Sequence, residues 1–184
     1  MHYKRLFIAL FLSAGIFMSC SGTGEMAQQQ GNNQAMEAQK YPSWYPNQKV
    51  VSTDTLIFAY ATAIADDSAG AVSKAESWAQ SELKSYISDK LENIRSEALI
   101  EHGSKSGLDA SRFMIALRRA DNAVGYLVET GNTQVKTVEG YNSYRSFAEV
   151  RVSKDDLVER IGKRLGGYEQ AWQAMKDSKA FKNF

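Results

Sequence analysis

The side chains that could carry out catalysis are few and lie far apart in this sequence. Ser81 and Lys84 fit the pattern Ser-x-x-Lys of some acyl-serine enzymes, in which a lysine amine activates a serine hydroxyl. A spacing of three residues would place both on one face of a helix. The Lys-Thr-Gly and Ser-Asp-Asn motifs of those enzymes do not occur in the chain, and Lys84 lies opposite the apolar stripe of its segment. A solvated helix surface is therefore the favoured interpretation of this pair.

Histidine and cysteine chemistry is limited to three residues, His2, His102 and Cys20. A structural metal site usually needs about four such ligands held together, so we predict no metal centre. A Ser-His-Asp triad would depend on His102 as its base, and the chain lacks the Gly-x-Ser-x-Gly turn that presents the serine in many hydrolases. The favoured interpretation of His102 is a solvated side chain near a helix end.

Two pairs of acids and one glycine-flanked loop have simpler explanations than catalysis. Asp66-Asp67 and Asp155-Asp156 each stand at the start of a predicted helix, where side-chain oxygens cap free N–H groups and negative charge suits the helix dipole. The segment 103–107 reads GSKSG and lacks the Gly-Lys-Ser order of a phosphate-binding loop. We predict a protein that is not an enzyme, with no catalytic residue and no cofactor.

The first 20 residues have the organisation of a lipoprotein leader. Met1–Arg5 is basic, and Leu6–Met18 is apolar apart from a serine and a glycine. That run is shorter than the roughly 20 residues needed to span a bilayer but suits a signal peptide. Phe17-Met18-Ser19-Cys20 resembles a lipobox, the cleavage site of lipoprotein signal peptidase. We predict a signal peptide at 1–19 and lipidation, such as palmitate, on Cys20; an ordinary secretory signal that happens to contain a cysteine is the alternative.

The predicted lipid would fix the protein to a membrane outside the cytoplasm. One acyl chain binds only marginally, at about 0.8 kcal/mol for each buried CH₂, but lipoproteins carry two or three chains on the mature cysteine. Ser21, rather than an aspartate, follows Cys20. This resembles the sorting rule that favours the outer membrane over the inner one. We therefore expect an outer-membrane protein that faces the periplasm or the cell surface.

The remaining composition bounds the partners and the domains. Lys and Arg number 22 against 21 Asp and Glu, and removal of Lys4 and Arg5 with the leader leaves 20 against 21, a net charge of −1. Such a balance gives no basic face for nucleic acid. Residues 20–40 hold the cysteine and a Gln- and Asn-rich linker, with a reach near ~25 Å as a flexible coil. One folded domain at 41–165 and a C-terminal helix at 166–184 are expected to follow.

The first half of the folded part predicts one strand and one long helix. The two prolines of Tyr41–Pro46 favour an extended segment on the surface of a core. Thr55–Ala65 reads as a strand whose large apolar residues alternate with alanines, so both faces should be covered, as in an interior strand. Apolar residues at helical spacing from Val72 to Ala98 then predict an amphipathic helix that ends near Gly103.

The second half begins with an ambiguous segment, Ala110–Thr130. Its apolar spacing favours a helix that ends at Gly131-Asn132, while Val124–Thr130 alone could also be a strand. Thr133–Glu139 and Tyr144–Val152 predict a hairpin. In its second strand, Ala148, Val150 and Val152 should point inward, and Glu149 and Arg151 toward water.

Two helices complete the predicted fold, one from a cap at Ser153 to the break at Gly166-Gly167 and one over Tyr168–Ala180. The fold class is therefore α+β, a small antiparallel sheet of about three strands packed by a long amphipathic helix and further helices, in the order β-α-α-β-β-α-α. The last helix could cover the second face of the sheet or reach a neighbouring copy.

The order of these parts resembles the LPP-twenty family of bacterial outer-membrane lipoproteins. The resemblance spans roughly residues 42–160. It rests on Cys20, Pro42-Ser-Trp44, the strand Tyr60-Ala-Thr-Ala63, the alanine-spaced helix Ala71–Ile87, and Tyr144–Val152 with Ser153–Leu157 after it. It implies a compact α+β domain in which a long helix packs on a small antiparallel sheet, and a non-enzymatic role, in some members as a building block of a ring around the flagellum.

Two functions are compatible with these expectations. The first is a structural or assembly lipoprotein of the cell envelope that binds envelope proteins or copies of itself. Motility is one process that such a lipoprotein could serve. The second is a lipid-anchored binding module for a small periplasmic or cell-wall ligand. An uncovered apolar face or edge strand would favour the first, and an apolar pocket under the helices would favour the second.

Overall fold

A computed structural model describes residues 41–184, apart from the side chains of Asp121 and Ala123. Its strands are β1 (Val50–Ser52), β2 (Leu56–Ala65), β3 (Glu129–Thr137) and β4 (Tyr144–Ser153). Its α-helices are α1 (Ser68–His102), α2 (Ser111–Asp121), α3 (Lys154–Arg164), α4 (Glu169–Asp177) and α5 (Lys179–Lys182). Short 3₁₀ helices lie at Ser104–Ser106 and Asn122–Tyr126. The predicted α+β class is confirmed.

The sheet is antiparallel and has the strand order β1-β2-β4-β3. It has four strands rather than the predicted three, because the three-residue strand β1 pairs with β2 along the sheet edge. Strand β2 is interior, as its two apolar faces predict, and it pairs with β4 over its whole length in a register that sets Ala61 opposite Ala148.

Alanines hold the first half of α1 against the sheet. Ala71, Ala75 and Ala79 are all fully buried, and their spacing of four puts them on one face of the helix. In the sheet, Ala63 and Ala148 pack against Ala75. Small side chains on both surfaces let the helix backbone approach the sheet closely.

Larger side chains fill the second half of α1, which extends past the sheet. The helix is 35 residues long, or roughly 52 Å at 1.5 Å per residue. Most of its buried positions carry leucine or isoleucine, and α2, α3 and α4 contribute to the same core. The fully buried large residues there include Leu83, Ile87, Phe113, Leu157, Ile161 and Met175.

Both ends of α1 agree with the sequence signals. Asp67 caps the start, since its carboxylate accepts a hydrogen bond from the Gly70 N–H at 2.7 Å. Gly103 follows the last residue with a φ of 71°, which favours glycine because it has no Cβ. Its N–H donates to the Leu99 carbonyl at 2.8 Å.

The ambiguous segment 110–130 is mostly helical. It forms α2 and then the 3₁₀ turn Asn122–Tyr126 before β3 starts at Glu129. The prediction that Gly131-Asn132 ends the helix is wrong, because both residues lie inside β3 at a break in its register between Thr130 and Thr133. Such a β-bulge inserts extra residues into one strand.

The C-terminal segment packs with the helices and not over the second face of the sheet. Trp172 and Met175 are buried in the core with α1 and α3, and Trp172 Nε1 would lie 2.9 Å from a Cβ placed on Gly162. The predicted single helix is divided at Ser178, which caps α5 through the Phe181 N–H at 3.2 Å. The structure thus favours a core role for this segment over a role in self-assembly.

The second face of the sheet is covered by the aromatic segment Tyr41–Tyr45. The rings of Tyr41 and Tyr45 lie 5.7 and 5.3 Å from that of Phe147. The segment turns where the Tyr45 N–H donates to the Pro42 carbonyl, so it lies on the core as predicted but is not extended throughout. The second face is therefore closed by rings near its centre.

Candidate functional site

The predicted lipidation site, Cys20, lies outside the described residues. Ser81 and Lys84 lie on α1, and both are exposed. The Lys84 ammonium donates to the Asn122 side-chain oxygen at 2.6 Å, so it ties α1 to the turn after α2. The contact that the structure gives Lys84 is therefore structural, and it does not activate Ser81.

The two acid pairs lie at helix starts, but only the first pair supplies a cap. Asp67 caps α1. Asp155 and Asp156 lie in the first turn of α3, where their charge suits the dipole, and the cap is the Ser153 hydroxyl, which accepts from the Asp156 N–H at 3.3 Å. His102 is exposed at the end of α1. The GSKSG segment is a 3₁₀ connector in which the Ser106 hydroxyl donates to the Gly103 carbonyl at 2.6 Å.

Among residues 41–184, no group of three or more His, Cys, Asp and Glu side chains is placed to hold a metal ion. None of the helices in that range combines the length and the apolarity required to cross a membrane.

A buried arginine on α1 holds the connector that follows this helix. The Arg95 guanidinium donates to both Glu92 oxygens at 2.9 and 2.6 Å and to the Leu108 carbonyl at 3.0 Å. The hydrogen bond from Arg95 lowers the pKa of the Glu92 carboxyl below its ordinary value. The bidentate pair with Glu92 fixes the orientation of the guanidinium, and the third hydrogen bond of Arg95 holds the Leu108 carbonyl.

Glu149 on strand β4 is a second buried charged residue. Its side chain is only 6% exposed, so the prediction that Glu149 faces water is wrong. It points to the second face of the sheet, where Tyr60 is its cross-strand neighbour on β2. The Asn132 side-chain amide donates to Glu149 at 3.3 Å. A Cβ on Gly131 would lie 2.2 Å from a Glu149 oxygen, so the bulge makes room for the carboxylate.

The carboxylate of Glu149 contributes to a raised pKa of Tyr60. Burial, the charge of Glu149 and a hydrogen bond with it raise the pKa of Tyr60 to about 12. Tyr60 therefore stays protonated and donates to Glu149 through the ordinary pH range. We call Tyr60, Gly131, Asn132 and Glu149 the Glu149 cluster. Its side chains join three strands through hydrogen bonds, so its evident role is to lock β2, β3 and β4 together.

Sequence reasoning missed the Glu149 cluster for a definable reason. Alternation along β4 shows on which side Glu149 lies but not what covers that side. The signal that could have revealed it is the Gly131-Asn132 pair, because a glycine inside a strand often marks a bulge or a close approach.

The outer edge of β3 is the other feature that could bind a partner. Among the described strands, β3 pairs with β4 alone. After the bulge, its pairing is regular from Thr133 to Thr137, and Thr133 and Gln134 are exposed. A strand at a sheet edge presents backbone N–H and C=O groups that can pair with another chain.

Comparisons of the chain with models of protein families, with curated proteins and with solved structures found no match.

Proposed function

We propose that this chain is a bacterial lipoprotein with a structural or assembly role in the cell envelope, of the kind that the LPP-twenty resemblance implies. Cleavage before Cys20 and lipidation there would fix it to the outer membrane. Two features of the sequence support the anchor, the short apolar run before Ser19-Cys20 and the linker after it. The described domain begins at Tyr41, where that linker ends, and forms a compact unit to Phe184.

The observation that carries the assembly role is the regular part of the β3 edge, Thr133–Thr137. Pairing along a sheet edge joins chains through main-chain hydrogen bonds and needs no pocket. A tether would also confine copies to one membrane plane, which raises their effective concentration. A second copy of the chain is the simplest partner for this edge.

Light scattering of the chain without residues 1–19 and with Cys20→Ala tests this assembly at micromolar concentration. We expect oligomers. Gln134→Lys with Thr137→Lys should yield folded monomers, because like charges placed opposite each other across paired edges repel. The control, Ser77→Lys with Gln80→Lys, adds the same charge on the exposed face of α1 and should leave the oligomer intact. A monomer in all three proteins, or the same oligomer in all three, would contradict assembly through β3.

A lipid-anchored binding module for a small periplasmic or cell-wall ligand is the second candidate. The observation that favours it is an open groove between α2 and α3, which has both apolar and cationic walls. A single protein can combine both roles, since this groove and the β3 edge are formed by different elements.

A further inference from the structure

A groove of about 560 Å³ runs between α2 and the end of α3. This volume falls in the range of about 300–1,000 Å³ that proteins use for small ligands. Five lining residues lie at positions 112, 115, 116, 119 and 120, which form one stripe along α2. The residues that carry the argument are Arg112, Ile115, Arg119, Ala120, Arg164 and Tyr168.

The rim of this groove is cationic. Arg112, Arg119 and Arg164 are exposed, and no acidic side chain that the structure describes lines the groove with them. Within residues 41–184, none of the three appears in a salt bridge with a described side chain. Three arginines around one depression repel one another and favour an anion between them.

Helix stability explains only two of these arginines. Arg119 and Arg164 lie in the last turns of α2 and α3, where a positive charge suits the helix dipole. Arg112 is the second residue of α2, whose first turn contains no acid. A cation there opposes the dipole, so the position of Arg112 is unfavourable for the helix alone and suits an anion in the groove.

The floor of the groove is apolar. Ile115 is 50% exposed, Ala120 is buried, and the half-buried ring of Tyr168 packs against Phe113 with centroids 6.0 Å apart. A free phosphate ion would use the arginines and leave this apolar surface in water. A ligand that contacts both has an anionic head joined to an apolar body.

We propose that the groove binds the phosphate headgroup of an anionic phospholipid in the membrane to which the chain is tethered. Guanidinium groups bind phosphate in a planar, bidentate manner, and Ile115 would contact the glycerol and the start of the acyl chains. This inference rests on the proposed function, because a linker of ~25 Å reach keeps the groove near a lipid surface. It adds a second, reversible contact that would orient the domain.

Vesicle sedimentation tests the proposal with the chain that lacks residues 1–19 and carries Cys20→Ala, so that neither leader nor acyl chain contributes. We expect binding to phosphatidylglycerol vesicles and none to phosphatidylcholine vesicles. Arg112→Gln with Arg119→Gln should weaken binding about 30-fold, from about 1 kcal/mol for each cation near an anionic surface. Lys74→Gln with Lys182→Gln removes the same charge from exposed positions outside the groove and should change binding about threefold or less.

A second pair of variants separates a lipid from a simple anion. Ile115→Ser should weaken binding to the same vesicles, while Ile100→Ser, at a position 84% exposed on α1, should not. Inorganic phosphate at vesicle-equivalent phosphate concentration should fail to displace the protein.

Three results would overturn the proposal. If the protein does not bind phosphatidylglycerol vesicles, the groove is not a phospholipid site. If the arginine and lysine variants lose vesicle binding equally, binding depends on overall charge and not on the groove. Displacement by inorganic phosphate, or an unchanged Ile115→Ser protein, would overturn the lipid assignment. Labelling of Cys20 with palmitate is scored separately in cells, so failure of the anchor and failure of the groove are distinguishable.

Discussion

The two faces of the sheet are built by different means, although the same strands contribute to both. The face under α1 is closed by alanines and β-branched residues such as Ile57, Val150 and Val152, all with almost no exposed surface. The opposite face combines aromatic rings with the buried carboxylate of Glu149. Close packing stabilises the first face and hydrogen bonding stabilises the second. The difference suggests that changes of volume will damage the first face and changes of polarity the second.

The largest expected difference compares two isoleucines of strand β2. Ile57 is fully buried under α1, whereas Ile64 on the other face is 45% exposed. Ile57→Ala should lower the free energy of unfolding by about 2–5 kcal/mol, since it leaves a cavity. Ile64→Ala should cost about 1 kcal/mol or less. Urea unfolding measures both, and equal losses would contradict the assignment of the two faces.

Overpacking of the alanine face should give the next largest effect. Ala61 lies opposite Ala148 beneath α1, so Ala61→Leu should cost about 1–3 kcal/mol. Lys84→Ala, which removes one exposed hydrogen bond to Asn122, should stay within about 0.5 kcal/mol. Thermal melting of the two variants compares them, and identical melting temperatures would show that the alanine face tolerates bulk.

A smaller loss of stability should distinguish Gly131 from Gly125, where an added Cβ would meet no atom within 4 Å. Gly131→Ala places a Cβ 2.2 Å from a Glu149 oxygen, whereas nothing lies within 4 Å of a Cβ on Gly125. We expect Gly131→Ala to cost about 1–2 kcal/mol through the displaced carboxylate, and Gly125→Ala to be nearly neutral. Glu149→Ala should reduce the cost of Gly131→Ala, a coupling that a double-mutant cycle detects. Strict additivity would exclude the close approach.

The last expected effect appears only at alkaline pH, where stability should depend on pH. The folded-state pKa of Tyr60 is raised from 10.0 to about 12, so the folded state holds this proton more tightly than the unfolded state. The resulting stability is fully present below pH 10 and is lost as the pH rises toward 12. Tyr60→Phe should therefore flatten stability against pH in that window. An unchanged slope would show that folding does not raise the pKa of Tyr60.

Periodicity predicted the alanine face well and the opposite face poorly. Strand β2 and helix α1 each repeat one pattern over ten residues or more, and α1 also has clear start and stop signals at Asp67 and Gly103. Strand β1 was missed because its three residues are too few to show a period. Its pairing with β2 is a tertiary contact that local sequence does not encode.

The Glu149 cluster shows why sites are harder to predict than elements. The carboxylate is buried by Tyr60, which lies 89 positions earlier in the chain, and by a bulge that replaces an expected helix end. Each residue is ordinary in its own segment. Only the register of three strands brings them together, and that register depends on the whole fold.

The central claim, an anchor on Cys20, is tested most directly by labelling cells that express the full chain with a radioactive or clickable palmitate. The unchanged protein should take up the label and fractionate with membranes. Cys20→Ala should take up none and either remain as an uncleaved precursor or appear in the soluble fraction. An unlabelled, soluble unchanged protein would contradict the lipoprotein assignment.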